Sequence, residues 1–512
     1  MQENNKLHSY HPATGQWIGK VELTATSDVP DLYSKARAAF ATWSGLRLPE
    51  RIKYIRNIRI YMTEHLDDIA TVIADDTGKV KTEAVVADLL PVVDGLCHIE
   101  KHAKHILSEQ KKTTPLLFFG KKSYVEYIPR GVVLVISPWN YPLQLALIPV
   151  VSALVAGNTV ILKPSEVTPL VGKQIEDIVQ GAGLPPHVVQ VAHGGGNLGA
   201  ALTAGKPDYI FFTGSVRTGK MIQQQAAKDL IPTTLELGGK DPMIVFEDAN
   251  IERAVQGALW GAFTNSGQVC MSVERLYVHR SIYDSFKEKL VAEVKKLKQG
   301  TAIDDDIGSM TYPQQVEIVK AQVEEAIREG ATLEAGVVPE QWDQSSGLFI
   351  PPTVLTNVNQ EMKVVKEETF GPILPMLPFD TEEESIALAN DSNYGLNASV
   401  WSSDIKKAKR VASQLLSGNV LINEVIVTVA NHHLPFGGIK ESGLGRYHGE
   451  AGLRDFCHEK SVMVDKGSKN SELYWYPYRE KYPLLKDLIY HLYSKKRNWA
   501  KFVRTYKKLL KK

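Results

Sequence analysis

The chain has 512 residues, 44% of them hydrophobic and 23% charged, with a formal net charge of +1. That length is too great for one ordinary core and that composition excludes extended disorder, so two or more domains, or one large α/β domain with insertions, are expected. Three scattered cysteines, Cys97, Cys270 and Cys457, exclude a disulfide framework, and no Cys/His cluster has zinc-ligand spacing.

The first residues, Met1 to Lys6, are polar and lack the apolar core of a secretory signal, so the expected location is cytoplasmic. Leu32–Phe40 and Ile52–Ala74 have the period of amphipathic surface helices. Leu116–Phe119 and Tyr124–Tyr127, around Gly120-Lys121-Lys122, read as a hairpin rich in aromatics. Its role is open between a subunit contact and packing on its own domain.

Between Arg130 and Lys163 lie 32 uncharged residues, long enough to imitate a membrane span. Pro138, Asn140, Pro142, Pro149, Gly157 and Asn158 break that run, which therefore reads as a strand (Val132–Ile136), a loop, a helix (Gln144–Val155) and a second strand (Thr159–Leu162). This is a βαβ unit whose strands are apolar on both faces, as in a covered parallel sheet. Val188–Ala192, Tyr209–Thr213, Thr234–Leu237, Met243–Phe246, Arg275–His279, Ile373–Pro378 and Ser399–Trp401 continue as strands, with helices over Thr218–Ala227, Ile251–Phe263 and Ser281–Leu297. The alternation predicts an open, mostly parallel sheet, built twice.

Several short segments carry chemistry on their residue types. Gly194 to Gly199 matches G-x-G-x-x-G but lacks the acidic residue about 20 positions on, so a glycine-rich surface turn is the default reading. Phe212-Thr213-Gly214-Ser215 ends a buried strand where a helix begins, a place for a pyrophosphate. Lys163 and Glu166 follow another strand end, where they can hold a ribose or simply be solvated. Leu235-Glu236-Leu237-Gly238-Gly239-Lys240 and Asn265 to Cys270 offer a carboxylate and a thiol 34 residues apart, each beside glycine. His432 and His433 are adjacent and so point in different directions on most backbones; a structural or substrate-lining role is expected, and no metal.

Together with Pro138-Trp139-Asn140-Tyr141-Pro142, Glu367-Glu368-Thr369-Phe370-Gly371-Pro372 and Pro435 to Gly443, these segments fall in the order and spacing of the NAD(P)-dependent aldehyde dehydrogenase superfamily, which the chain resembles over roughly residues 8–465. The resemblance implies two open, mostly parallel twisted α/β domains with a small β-hairpin oligomerisation element. Residues 1–110 and 130–238 would bind cofactor, 239–457 would be catalytic, and 111–129 with an edge strand at 458–466 would assemble subunits into a dimer or tetramer. It further implies Cys270 as nucleophile, Asn140 and the Cys270 amide as oxyanion donors, and Glu236 as the base that activates water against a thioester. Lys163 and Glu166 would hold the adenosine ribose and Gly214 and Ser215 the pyrophosphate. Glu368 and Phe370 would orient the nicotinamide riboside, with Trp139, Phe212 and Gly238 lining the cleft. An acidic Glu166 repels a 2′-phosphate, so NAD is expected over NADP.

Asn431 to Gly438 with Tyr447-His448-Gly449 resemble the class 3 and fatty or aromatic aldehyde branch, whereas His11 to Gly15 and Cys270 to Arg275 resemble longer, semialdehyde-type members. A medium/long-chain or aromatic aldehyde is the expected substrate. A CoA-acylating dehydrogenase and a non-catalytic membrane-peripheral binding protein are the alternatives, and the presence of Glu236 and Cys270 speaks against both.

Past residue 467 the resemblance stops. From Pro483 to Lys512 ten Lys or Arg stand against Asp487 alone, a local +9 that leaves the remainder at −8 and gives no support for nucleic-acid binding. Leu485, Leu488, Leu492, Trp499, Val503, Tyr506 and Leu510 recur at steps of 3 or 4 with one gap of 7. The tail, residues 467–512, thus reads as a basic amphipathic helix able to lie on an anionic membrane but too short in apolar residues to span one.

Overall fold

The computed structural model describes residues 2–3, 5–342 and 347–510, so the last two lysines of the tail reading lie outside the described residues. The chain divides into two compact units, residues 1–108 with 127–459, and residues 109–126 with 460–512.

The first unit contains two large sheets. In the first, Val132–Ile136 lies beside Thr159–Lys163 on one side and Tyr209–Thr213 on the other; Val189–Val191 and Thr233–Glu236 extend it, all parallel. A two-residue strand, Gly443–Leu444, adds antiparallel at the edge. Every residue of the central three strands is buried. Alternate side chains explain why: Val132, Leu134 and Ile136 pack toward Val29, Tyr33 and Ala36, while Val133 and Val135 pack into the opposite core with Leu147, Val151 and Leu154. Both faces of the strand are covered by helices, so the sequence carries no polar alternation.

The second sheet runs in the order Thr332–Ala335, Thr353–Thr356, Ile373–Phe379, Val273–His279, Asp241–Val245, Asn397–Trp401, Asn419–Ile422. Only Thr332–Ala335 is antiparallel to its neighbour. Two mostly parallel α/β sheets are therefore present, as the alternation of elements predicts.

Some elements differ from expectation. The helix expected over Ile52–Ala74 is two helices, Leu48–Glu64 and Leu66–Thr77, because His65 leaves helical geometry between them. Lys6–Tyr10 and Trp17–Glu22 form an antiparallel pair that polar, mixed sequence conceals. The segment Gly194 to Gly199 is not a surface turn: a helix, Gly196–Ala204, starts inside it.

In the second unit, Lys122–Pro129 pairs antiparallel with Gln110–Lys112 rather than with Leu116–Phe119, and Cys457–Val464 lies on its other side. Leu116–Phe118 is instead a 3-10 turn, and Leu117 packs against a small core of Leu473, Leu488, Phe502 and Leu509. An apolar run that resembles a strand is spent on that core. Lys121 ties the turn to Asp465 at 2.7 Å and Glu472 at 2.6 Å.

The tail is not one helix. Lys481–Tyr493 and Trp499–Leu509 form a helical hairpin, and the 7-residue gap in the apolar repeat is its turn. Folding back buries Leu488, Phe502 and Leu509 in the unit's own core and leaves Trp499, Val503 and Leu510 exposed. No helix among the described residues is long and apolar enough to cross a membrane.

Candidate active site

The first sheet changes direction of travel beside Val132–Ile136: the chain moves outward to Thr159–Lys163 on one side and returns to Tyr209–Thr213 on the other. Ligands of open α/β sheets lie at such a switch, beyond the carboxyl ends of the strands. Beyond those ends lie Trp139 and Asn140, Lys163 and Glu166, and Gly214 and Ser215.

Lys163 and Glu166 form an ion pair of 2.7 Å, the ammonium nearly buried and the carboxylate open. A Cβ on Gly195 would stand 3.6 Å from Glu166 Oε1, so the glycine-rich segment forms the neighbouring wall of this crevice. Ser215 caps the helix Val216–Ala227 by accepting from the Thr218 amide. Gly214 lies over the Phe212 ring, where a Cβ would come within 2.6 Å. The crevice has a polar pair, a helix N-terminus and glycines that keep side chains out of it, which fits a dinucleotide's ribose and pyrophosphate.

Cys270 follows a turn that few sequences can make. Asn265, Ser266 and Gly267 all have positive φ, of 50°, 55° and 69°. A Cβ on Gly267 would meet the Gly371 carbonyl oxygen at 2.1 Å. Such strain persists only when the surroundings over-determine it. Here the Gln268 side chain donates to the Asn265 carbonyl at 3.0 Å and accepts from the Thr311 amide at 2.8 Å. Glu83, on the other side, accepts from the Thr264 hydroxyl and the Asn265 amide.

The structure brings Asn140 to this turn. Its side-chain nitrogen donates to the Gln268 carbonyl at 3.0 Å, which leaves its second N–H free of that bond. The Asn140 carbonyl accepts from buried Lys79 at 2.8 Å and from Asn265 at 3.2 Å. Lys79 is in turn paired with buried Asp88 at 2.7 Å.

Glu236 and Cys270 line one cavity. Glu236 is buried, and neither carboxylate oxygen has a hydrogen-bond partner. Burial pushes its carboxyl well above the usual range, with Arg446 opposing. An unpaired buried carboxylate costs stability, and such groups cluster where chemistry needs a base. Cys270 is half-buried, its thiol raised chiefly by burial and then by the carboxylates of Glu368, Asp241 and Glu236.

Glu368 and Phe370 reach the site from the second sheet's side. Gly239 donates to Glu368 at 3.2 Å, and a Cβ on Gly238 would strike that carboxylate at 2.3 Å. A Cβ on Gly239 would meet the Cys270 carbonyl oxygen at 2.5 Å. The glycine pair is therefore required because backbone passes between Glu368 and Cys270. Burial, then the charge of Glu274, raises the Glu368 carboxyl to about 8. Phe370 stands edge-on to Trp139 with ring centroids 5.4 Å apart.

Sequence reading passed over what holds this loop. Glu274 accepts from the Thr369 amide at 2.8 Å and the Phe370 amide at 2.9 Å, and pairs with Lys240 at 2.7 Å; Glu274, Lys240 and Thr369 are buried. Lys240 stands in a recognised segment, but nothing local marks Glu274, whose amide partners Thr369 and Phe370 lie 95 and 96 residues away.

The cavity at Cys270 has a volume of about 500 Å³ and walls of Leu145, Val269, Ile426, Val429 and Phe436. One wall is the π-helical segment Ala84–Leu89, which precedes the helix Leu90–Leu107. At the mouth, Val86, Leu90, Trp260 and Val427 are both cavity-lining and exposed.

Comparison with known proteins agrees with this geometry. The family model described as "Aldehyde dehydrogenase family" matches residues 1–462. A 4,4′-diapolycopene aldehyde oxidase of Methylomonas sp is 43% identical over 91% of this chain and 87% of its own. A betaine aldehyde dehydrogenase of Brucella anthropi is 37% identical over 90% and 94%. Among solved structures, an aldehyde dehydrogenase of Mycobacterium tuberculosis complexed with NAD+ superposes with a TM-score of 0.86 at 34% identity, covering 91% of this chain and 96% of that one. A betaine aldehyde dehydrogenase mutant of Staphylococcus aureus in complex with NAD+ gives 0.86 at 33% identity, covering 92% and 96%. With the family match and these relatives over nine-tenths of its length, the chain belongs to the aldehyde dehydrogenase family and is an enzyme that oxidises aldehydes.

Proposed function

We propose that this enzyme oxidises a long apolar or aromatic aldehyde to the carboxylic acid, with NAD preferred. The observation that carries the substrate class is the cavity: its apolar wall continues through Val86, Leu90, Trp260 and Val427 to the surface, so a chain longer than the pocket can extend outward on apolar groups. The name of the Methylomonas relative, a 4,4′-diapolycopene aldehyde oxidase, supports the same class.

The Cys270 thiol gives up its proton to solvent and Sγ adds to the aldehyde carbonyl, and the negative charge gained by oxygen is held by the Cys270 amide and the free N–H of Asn140. One such donor is worth roughly 3 kcal/mol. When bound, the cofactor supplies the acceptor for the hydride that leaves this adduct. Glu236, unpaired and raised, takes the proton of a water that attacks the resulting thioester, the C–S bond breaks, and the carboxylic acid leaves with the Cys270 sulfur regenerated. The Glu166 carboxylate beside Gly195 repels a 2′-phosphate, which supports NAD. On this reading residues 1–110 and 130–238 hold cofactor, 239–457 carry the thiol, and 111–129 with 458–466 pair subunits.

The second unit supports a membrane-surface role, for a chain that otherwise works in the cytoplasm. Trp475, Tyr476, Tyr482 and Trp499 are exposed in the same segment of sequence as the basic residues of the tail. Exposed aromatics and lysines in one segment fit an anionic interface. Replacing those four aromatics by serine should release the protein from phosphatidylglycerol vesicles; undiminished cosedimentation would sink this role.

For the reaction, kcat/KM should rise with aldehyde chain length, favour NAD over NADP and be indifferent to CoA. A preference for short polar semialdehydes would overturn the substrate class.

A further inference from the structure

Beside the substrate cavity lies a second hollow of about 370 Å³, sharing Asp94, Val427 and Ala430 with it. Three imidazoles converge there. His98 and His102 stand one turn apart on the helix Leu90–Leu107, and His433 comes from the loop that follows Val427–Ala430. One ring nitrogen from each lies within 4.8 Å of the others. His433 meets His98 edge-on at a centroid distance of 4.4 Å and His102 at 5.1 Å.

The neighbouring histidines are committed elsewhere. His432 Nε2 is 2.8 Å from the Pro91 carbonyl, which accepts only from an N–H, so His432 Nδ1 carries the lone pair that faces His448 Nδ1 at 3.0 Å. By contrast, among the described residues the rings of His98, His102 and His433 have no hydrogen bond to protein. The adjacent pair thus diverges as expected, but the expectation of no metal rested on spacing along the chain. Folding brings His433 to a pair of histidines more than 330 positions earlier.

We propose that His98, His102 and His433 form a binding site for a divalent transition metal of the zinc class at the mouth of the substrate cavity, clamping the 427–433 loop to the helix Leu90–Leu107. Two histidines at i and i+4 present nitrogens on one helix face, and three imidazoles with an open fourth position match the ligand number of zinc sites that keep a water. Metal–nitrogen distances of about 2.0–2.1 Å require the three rings to close slightly from their present spread. Asp94 and Lys101 line the same hollow, the carboxylate favouring a cation there and the ammonium opposing it.

The test uses the untagged full-length chain carrying Cys270→Ser, which removes the cavity thiol as a competing ligand. Titrated with Co2+ and then displaced by Zn2+, it should take up one ion per chain with the visible bands of low-coordinate cobalt, and Zn2+ should raise its melting temperature. His433→Gln and, separately, His102→Gln, with metal-free melting unchanged, should each weaken binding by about 100-fold or more, beyond the 10–100-fold typical of losing an outer partner. Uptake unaltered in both variants, or no uptake by the parent below millimolar metal, would overturn the site.

Discussion

The crevice at Lys163 and Glu166 and the cavity at Cys270 are built in opposite ways. In the crevice the charges are paired and the carboxylate reaches solvent: Lys163 holds Glu166, and Ser215 caps its helix. In the cavity a carboxylate, Glu236, is buried with both oxygens unpartnered, and a thiol feels that carboxylate and two further ones, Glu368 and Asp241, which discourage its ionisation. A site that binds and releases a charged, soluble molecule needs donors already satisfied in its absence. A site that moves protons needs groups held away from their comfortable state. The first arrangement stabilises the fold and the second costs it stability.

The sharpest way to break this contrast is at the thiol. Cys270→Ala should lower turnover by about 10⁴-fold or more, while calorimetry finds NAD binding unchanged; equal activity of the variant would end the mechanism. Next comes Glu236→Gln, expected to cost about 10²–10⁴-fold in kcat while stopped-flow still shows one NADH formed per site. The same variant tests the strain. The folded carboxyl is raised above its unfolded value, so the fold holds the extra proton and loses stability as pH climbs from the unfolded value toward the folded one. Urea midpoints of Glu236→Gln should gain on the parent between about pH 5 and pH 8, and the gain should vanish below about pH 4.

A third effect belongs to the loop support. Glu274→Ala strands Lys240 as a buried charge, and chemical denaturation should show a loss of about 3–5 kcal/mol. The KM for NAD should rise with it, since Glu368 and Phe370 lose their anchor. Smallest is Glu166→Ser in the crevice, where the ratio of kcat/KM for NADP over NAD should increase by about 10-fold, the value of one modest charge interaction. An unchanged ratio would remove Glu166 from cofactor choice.

The two regions were not equally legible. Val132–Ile136, Gln144–Val155, Tyr209–Thr213 and Ile251–Phe263 appear where apolar runs and their punctuation place them, because buried parallel strands and the helices on them leave a continuous apolar trace. Strands with half-polar sequence, such as Trp17–Glu22, leave no such trace. At the site, glycine was the readable sign: Gly238, Gly239 and Gly267 mark where backbone crosses backbone or a carboxylate. Gly195 misled, since its signal lacks the acid that usually accompanies it, although Glu166 stands opposite from an earlier strand. Glu274 and the trio of His98, His102 and His433 depend on contacts across long sequence separations, and no local pattern announces them.

The π-helical turn Ala84–Leu89 gives the substrate wall an adjustable gauge. A π turn holds an extra residue relative to an α turn, and each residue of an α-helix advances the face by about 100°. Deleting one residue there would re-index Val86 and Ala87 against everything from Leu90 onward, and so change which side chains face the cavity without touching Cys270 or Glu236. For anyone recasting the enzyme's appetite, the indel comes before the point mutation.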